Sequence, residues 1–192
     1  MKKILALILA VTMLGSIVVF ANSNKTEENI MLISEETTET MADKRVVEGT
    51  VKLVADGQIE LANSLLDSKF TFRFPVAYGR QLGRTLDFPT INQYLSNRQV
   101  TPKFGVYVSR TEVWGRIYRS ITNVGVKPTV GSDVPLAETY IIGFEGGELY
   151  GEVAKVSLVS FIREERKFDS VDELKNQIAE DIKSAMNYNK KD

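Results

Sequence analysis

The stretch Gly79-Arg80-Gln81-Leu82-Gly83-Arg84 carries two glycines four residues apart, each followed by an arginine. Main-chain amides without side chains in the way can approach an anion there while guanidinium groups neutralise its charge, which is the chemistry of a phosphate site. A glycine-bearing loop between a strand and a turn satisfies the same spacing, and the pattern lacks the Gly-Lys-Ser/Thr ending of a Walker-type phosphate loop. Downstream, Pro89-Thr90-Ile91-Asn92 sets two side-chain oxygens two residues apart. In an extended segment both lie on one side, where they could share a hard cation with nucleotide phosphates; a turn held by Thr and Asn side chains is the alternative. Glu138 stands inside the otherwise apolar run Leu136-Ala137-Glu138-Thr139-Tyr140. A carboxylate so placed must meet a cation, a proton or a substrate, unless its head reaches solvent. A fourth stretch, Arg163-Glu164-Glu165-Arg166-Lys167-Phe168, is a charge run closed by an aromatic residue. It fits a solvated loop whose Phe168 staples the helix that follows.

The chain has 192 residues and contains neither cysteine nor histidine. Disulfides, thiol nucleophiles, thiolate or imidazole metal sites and Ser-His or Cys-His catalysis are thereby excluded. Acids, bases and ligands must come from carboxylates, hydroxyls, amides, Lys or Arg, a set that favours hard, oxygen-liganded Mg2+ over zinc or copper. With 24 Lys+Arg against 25 Asp+Glu there is no global field to hold a polyanion, so nucleic acid is not an expected partner. A composition of 43% hydrophobic and 26% charged residues suits one globular domain with a short appendage.

The elements that must position these residues follow from periodicity. Lys2 and Lys3 precede an apolar run from Ile4 to Ala21, interrupted by Thr12, Gly15 and Ser16 and followed by Asn22-Ser23-Asn24. That order of charge, apolar stretch and small residues is a secretory signal over residues 1–21, expected to be cleaved after Ala21 so that the protein is exported. An uncleaved membrane anchor over residues 4–21 is the alternative. Residues 22–45 are rich in Asn, Ser, Thr and Glu and read as a solvated spacer, with a short helix at the domain edge as the other reading. Residues 46–68 carry apolar positions at helical spacing around a break at Asp56-Gly57, predicting two short helices in a linker.

Residues 69–192 form the folded domain. Phe70, Phe72, Phe74 and Val76 alternate with polar or small residues in a strand rhythm, and Pro75 puts that strand at an edge or bulge. Further strands are expected over 105–110, 113–122, 137–144 and 152–162, which together indicate an antiparallel barrel or sandwich. Ser170 and Glu173 form a capping-box pattern ahead of a final helix whose apolar stripe is Val171, Leu174, Ile178, Ile182 and Met186.

Taken together and in order, these stretches resemble the riboflavin kinase module of bacterial bifunctional riboflavin kinase/FAD synthetases. The likeness rests on residues 79–86 leading to Phe88-Pro89-Thr90, on Gly105-Val106-Tyr107, on 123–129, on Glu138-Thr139, on Leu149-Tyr150-Gly151 and on 162–168, and it spans about residues 46–187. Several ordered motifs are far more specific than any one. The upstream adenylyltransferase of the two-domain proteins is not in this sequence, so FAD synthesis is not expected. The resemblance implies a mainly β fold, a small six-stranded antiparallel barrel with a C-terminal helix and short N-terminal helices. It implies transfer of the terminal phosphoryl group of ATP to the 5'-hydroxyl of riboflavin to give FMN. Gly79, Gly83 and Arg84 would face the nucleotide phosphates, Thr90 and Asn92 would hold Mg2+, Glu138 would accept the hydroxyl proton, and Arg163 and Phe168 would flank the flavin. An exported flavin-binding module with little or no kinase turnover is the second reading. The chain departs from the family pattern in several places: Tyr78 and Tyr140 replace frequent histidines, Phe74-Pro75 replaces a glycine-containing start of the first strand, and Asp87 replaces a usual glycine. Near metal and phosphate, a carboxylate at position 87 either adds a cation ligand or repels the nucleotide.

Overall fold

The computed structural model describes residues 7–11, 17–21, 38–66, 68–79, 83, 86–96, 99–126 and 134–188, with side chains described from Arg45 onward. Leu7–Val11 (β1) and Ile17–Ala21 (β2) pair antiparallel in a sheet of their own. The rest of the segment expected to be a signal lies outside the described residues. Among the described residues no helix is long and apolar enough to cross a membrane.

Thr38–Ala55 (α1) and Ile59–Leu65 (α2) are the two helices expected around Asp56-Gly57, except that α1 starts inside the segment read as a spacer. Met41, Ala42 and Lys44 are good helix formers, which a reading based on apolar periodicity overlooks. Gly57, at φ 79, ends α1. Gln58 N–H reaches the Leu53 carbonyl at 2.8 Å and Gly57 N–H the Val54 carbonyl at 3.1 Å, closing the helix with a left-handed glycine cap. Asn63 ties α2 to the barrel, donating to the Leu158 carbonyl at 2.9 Å and accepting from Phe70 N–H at 2.7 Å.

Six strands build the barrel: Thr71–Pro75 (β3), Thr90–Tyr94 (β4), Gly105–Val113 (β5), Arg116–Val126 (β6), Pro135–Ile141 (β7) and Val153–Arg163 (β8). All pairings are antiparallel, in the order β3-β8-β5-β6-β7-β4. Pro75 lacks a donor, which suits the edge position of β3. Side chains and one bridge nearly close the barrel between β3 and β4. Ala77 N–H donates to the Asn92 carbonyl at 2.7 Å, and fully buried Gln93 donates to the carbonyls of Phe74 at 2.6 Å and Ala154 at 2.9 Å. Periodicity missed β4 for that reason: its inward residue is an amide that joins strand edges, so no apolar alternation marks it. The strands expected over 105–110 and 113–122 are one hairpin, turning at Trp114-Gly115 with φ 49 and 75, the positive pair that a two-residue hairpin turn demands. The strand expected over 137–144 runs instead from Pro135 to Ile141, because Ile142-Gly143 turns away.

Phe72, Tyr107, Val124, Ala137, Val156 and Leu158 fill the interior. Beside them runs a chain of buried hydroxyls, Thr111 to Ser120 (2.8 Å), Ser120 to Ser109 (2.7 Å), Ser109 to Thr122 (2.8 Å) and Thr122 to Thr139 (2.9 Å). Each hydroxyl can donate and accept, so this polar seam satisfies itself without reaching solvent.

The last helix, Val171–Asn187 (α3), is capped as expected: the Ser170 hydroxyl accepts from Glu173 N–H at 3.1 Å. Glu173 returns a bond to Asp169 N–H at 3.1 Å. Its buried face differs from the expected stripe. Val171 and Met186 are exposed, and the contacts to Val108, Ile121 and Val159 come from Ile178, Ile182 and Ala185, with Asp181 buried among them. The stripe ends at the last residues that reach the barrel.

Candidate active site

Residues directly opposite one another in a ladder share a face. Asn92 on β4 faces Glu138 on β7, Glu138 faces Asn123 on β6, Asn123 faces Val106 on β5, and Val106 faces Arg163 on β8. Side chains distant in sequence thus form one transverse row on the outside of the barrel. The adjoining row brings Thr90 opposite Tyr140 and Tyr140 opposite Ile121.

Over these rows, beneath α3 and the loop before it, lies a cavity of about 300 Å³. Gly83, Thr90, Glu138, Arg163 and Phe168 all line it, with Val106, Ile121, Leu174 and Ile178 as apolar wall. A second cavity of about 490 Å³ adjoins it, walled by Val76, Ile91, Ile141, Leu149 and Tyr150, by the turn 143–147 that carries Phe144 and Glu145, and by Glu148. Thr90 and Tyr140 line both.

Of the residues expected from the sequence, Thr90, Glu138, Arg163, Phe168 and Gly83 therefore come together. Asn92 is the ladder partner of Glu138, and its Oδ1 is buried with no hydrogen-bond partner among the described residues. Such an orphaned carbonyl oxygen two residues from the Thr90 hydroxyl is a hard donor pair that suits a divalent cation. Gly79 lies against that amide: a Cβ there would sit 2.4 Å from Asn92 Nδ2, so glycine gives the amide its room. At Gly83 a Cβ would sit 2.4 Å from the Phe88 carbonyl oxygen, and the Gly83 carbonyl accepts from Leu86 and Phe88 N–H at 3.1 and 2.9 Å. Arg84 and Arg80 lie outside the described residues, as do Lys127-Pro128-Thr129.

Asp87 lines neither cavity. Its carboxylate pairs with Lys175 on α3 at 3.1 Å, and its φ of 68 is the left-handed conformation in which glycine is at ease and aspartate is tolerated. Tyr140 meets Phe88 edge to face at 5.6 Å, and Tyr78 stacks on Tyr150 at 4.0 Å.

The charge run that follows β8 is exposed at residues 164–167, as expected of a solvated loop, but several of its charges are paired. Buried Asp181 receives Arg163 through Nε at 3.1 Å and a terminal nitrogen at 2.7 Å, a bidentate pair that fixes the guanidinium plane, and Gln177 adds a bond at 2.9 Å. Lys103 pairs with Glu164 at 2.7 Å, and that hydrogen bond together with the positive charge holds the Glu164 carboxyl below its ordinary range. Arg166 pairs with Glu173 at 3.2 Å and lies 4.7 Å from the Phe168 ring centre, with Arg163 at 5.8 Å. Asp181 and Asn123 were not singled out by residue type. Asp181 did leave a signal, a carboxylate between Ile178 and Ile182 on the apolar face of a helix; Asn123 opens the 123–129 stretch of the family resemblance, but only the strand register puts it beside Glu138.

Residues 66–189 match the family model for riboflavin kinase (Flavokinase). The chain is 35% identical over 153 residues to the bifunctional riboflavin kinase/FMN adenylyltransferase of Bacillus subtilis (strain 168), covering 78% of this chain and 48% of that protein. It is 39% identical over 138 residues to the protein of the same name from Escherichia coli (strain K12), covering 70% and 43%. A crystal structure named Macrolide-efflux Protein from Streptococcus pneumoniae superposes with a TM-score of 0.70 at 32% identity, over 74% of this chain and 46% of that one. Sequence and fold agree on one class: this chain belongs to the riboflavin kinase family. It spans about half the length of the curated relatives it matches.

Proposed function

We propose that the protein is a riboflavin kinase that transfers the terminal phosphoryl group of ATP to the 5'-hydroxyl of riboflavin, yielding FMN and ADP. The observation that carries this is the meeting of two cavities at Thr90 and Tyr140, with Glu138 on the wall of only one. A flavin in the first, against Val106, Ile121, Leu174, Ile178 and Phe168, would point its ribityl chain at Glu138. A nucleotide in the second, its base among Phe144, Leu149 and Tyr150, would bring its terminal phosphate to the shared wall.

Phosphoryl transfer asks for alignment, charge neutralisation and one base at the acceptor oxygen. The Glu138 carboxylate takes the proton of the 5'-hydroxyl as that oxygen bonds to the terminal phosphorus, and the bond from phosphorus to the bridging oxygen breaks to release ADP. Thr90 and Asn92 would hold Mg2+. When bound, the ion neutralises charge developing on the phosphate oxygens. Arg163, locked by Asp181, and Phe168 would flank the flavin ring. Gly83 and Arg84 are assigned to the nucleotide phosphates, and Gly79 supports Asn92.

Incubating the purified protein with riboflavin, ATP and Mg2+ and separating products by chromatography tests this directly. FMN formation that stops on chelation and resumes with Mg2+ is expected. Quenched flavin fluorescence without FMN would instead select the flavin-binding reading. We also propose export, supported by the Lys2-Lys3 charge, the apolar run to Ala21 and the polar exit that follows. A mature N-terminus at Asn22 in the extracellular fraction is expected; a chain with intact Met1 confined to the cytosol would overturn it.

A further inference from the structure

Glu165, in the middle of the charge run, has a prepared seat on the strand that faces Glu138. Its Oε1 accepts from Asn123 Nδ2 at 2.9 Å, and a Cβ at Gly125 would stand 2.4 Å from that same oxygen. Position 125 is therefore open to the carboxylate only as glycine. Gly125 and Asn123 are two apart on β6 and share a face, and Asn123 is the ladder partner of Glu138. A carboxylate only accepts, so the Asn123 amide is oriented by chemistry, its NH2 turned to Glu165. The neighbours on either side are fixed too, Glu164 by Lys103 and Arg166 by Glu173. Glu165 itself stays exposed while lining the first cavity together with Asn123 and Glu138.

We propose that Glu165, held by Asn123 on Gly125, accepts hydrogen bonds from the secondary hydroxyls of the ribityl chain and so makes the site select a polyol arm rather than any flavin with a terminal hydroxyl. This rests on the riboflavin kinase reading. The chemistry of the pair suits it: the ribityl arm offers a row of O–H donors, and a carboxylate held beside the base supplies acceptors without competing for the terminal proton. Hydrogen bonds to a charged acceptor are also the kind whose loss a site registers most strongly.

The test compares riboflavin with its hydroxypentyl analogue, which keeps the terminal hydroxyl and lacks the secondary ones. In the full chain, Glu165→Ala is expected to lower kcat/KM for riboflavin by about 10- to 100-fold, as for loss of a hydrogen bond to a charged group, and to leave the analogue unchanged. Gly125→Ala, which expels the carboxylate without removing it, is expected to act in the same selective direction. Equal losses on both flavins, or no loss on either, overturn the proposal. Affinities for the two flavins from fluorescence quenching give the same comparison without turnover. A parent that binds both flavins but forms no FMN sinks the kinase reading alone, and the selective loss of riboflavin affinity still decides the role of Glu165.

Discussion

The cavity beside Glu138 and the cavity beside Phe144 share Thr90 and Tyr140 but are built differently. In the first, the polar groups stand on a strand ladder, Asn92, Glu138, Asn123 and Arg163 in one row, and a one-residue slip of any one strand would turn its member inward. In the second, much of the wall is the turn 143–147, where Gly146 leaves room for the Phe144 ring that a Cβ would overlap. The ladder fixes direction, as transfer of one proton from one hydroxyl requires. The turn supplies shape and the Phe144 ring, against which the proposed nucleotide base would lie.

Substitutions that strike one side and spare the other test this contrast. Glu138→Gln keeps shape and removes the base, so turnover should fall by about 10²- to 10⁴-fold while flavin quenching persists. Parent-like FMN formation by that variant would show that the acceptor side needs no carboxylate there. Asp181→Asn leaves Arg163 without its charge partner on the acceptor wall, and thermal or denaturant unfolding should show a loss of about 3 kcal/mol, as for a broken buried pair. A melting curve matching the parent would mean that water already carries that charge. Asn92→Ala should raise the Mg2+ concentration for half-maximal turnover by about 10- to 100-fold, since even outer partners of a metal commonly matter that much. An unchanged Mg2+ titration would remove Asn92 from the cation site.

On the donor side, Phe144→Ala should raise KM for ATP about tenfold, within the range of a lost aromatic stack on a base, with KM for riboflavin unchanged. Equal rises in both constants would mean that the two cavities are not separate donor and acceptor sites. The smallest change is expected for Asp87→Gly. It removes an exposed ion pair worth about 0–1 kcal/mol and relieves a left-handed φ, so the melting temperature should barely move. A large loss of turnover there would give the Asp87 carboxylate a part in catalysis that its position outside both cavities denies.

The transverse row was partly legible from residue types. Glu138 stood out as a carboxylate in an apolar strand, and Thr90 with Asn92 as two oxygens on one side of an extended segment; the register then placed them together. Glu165 was visible only as one charge among several, because nothing in a run of acids and bases tells which of them has a seat. Asn123 and Gly125 acquire meaning from neighbours distant in sequence, Glu165 above them and Glu138 across the ladder.

Local chemistry, then, determined by itself that this chain has no thiol or imidazole, that its strands alternate, that Ser170 starts a helix and that the motifs of a riboflavin kinase stand in order. Those properties depend on residue type and on neighbours a few positions away. Tertiary structure alone decided that a buried glutamine on β4 reaches across to β3 and β8, that Asp181 holds Arg163, that Asp87 turns to Lys175, and that two cavities meet at Thr90 and Tyr140. Each of these depends on the antiparallel register and on the docking of α3, which bring together groups that no spacing along the chain relates.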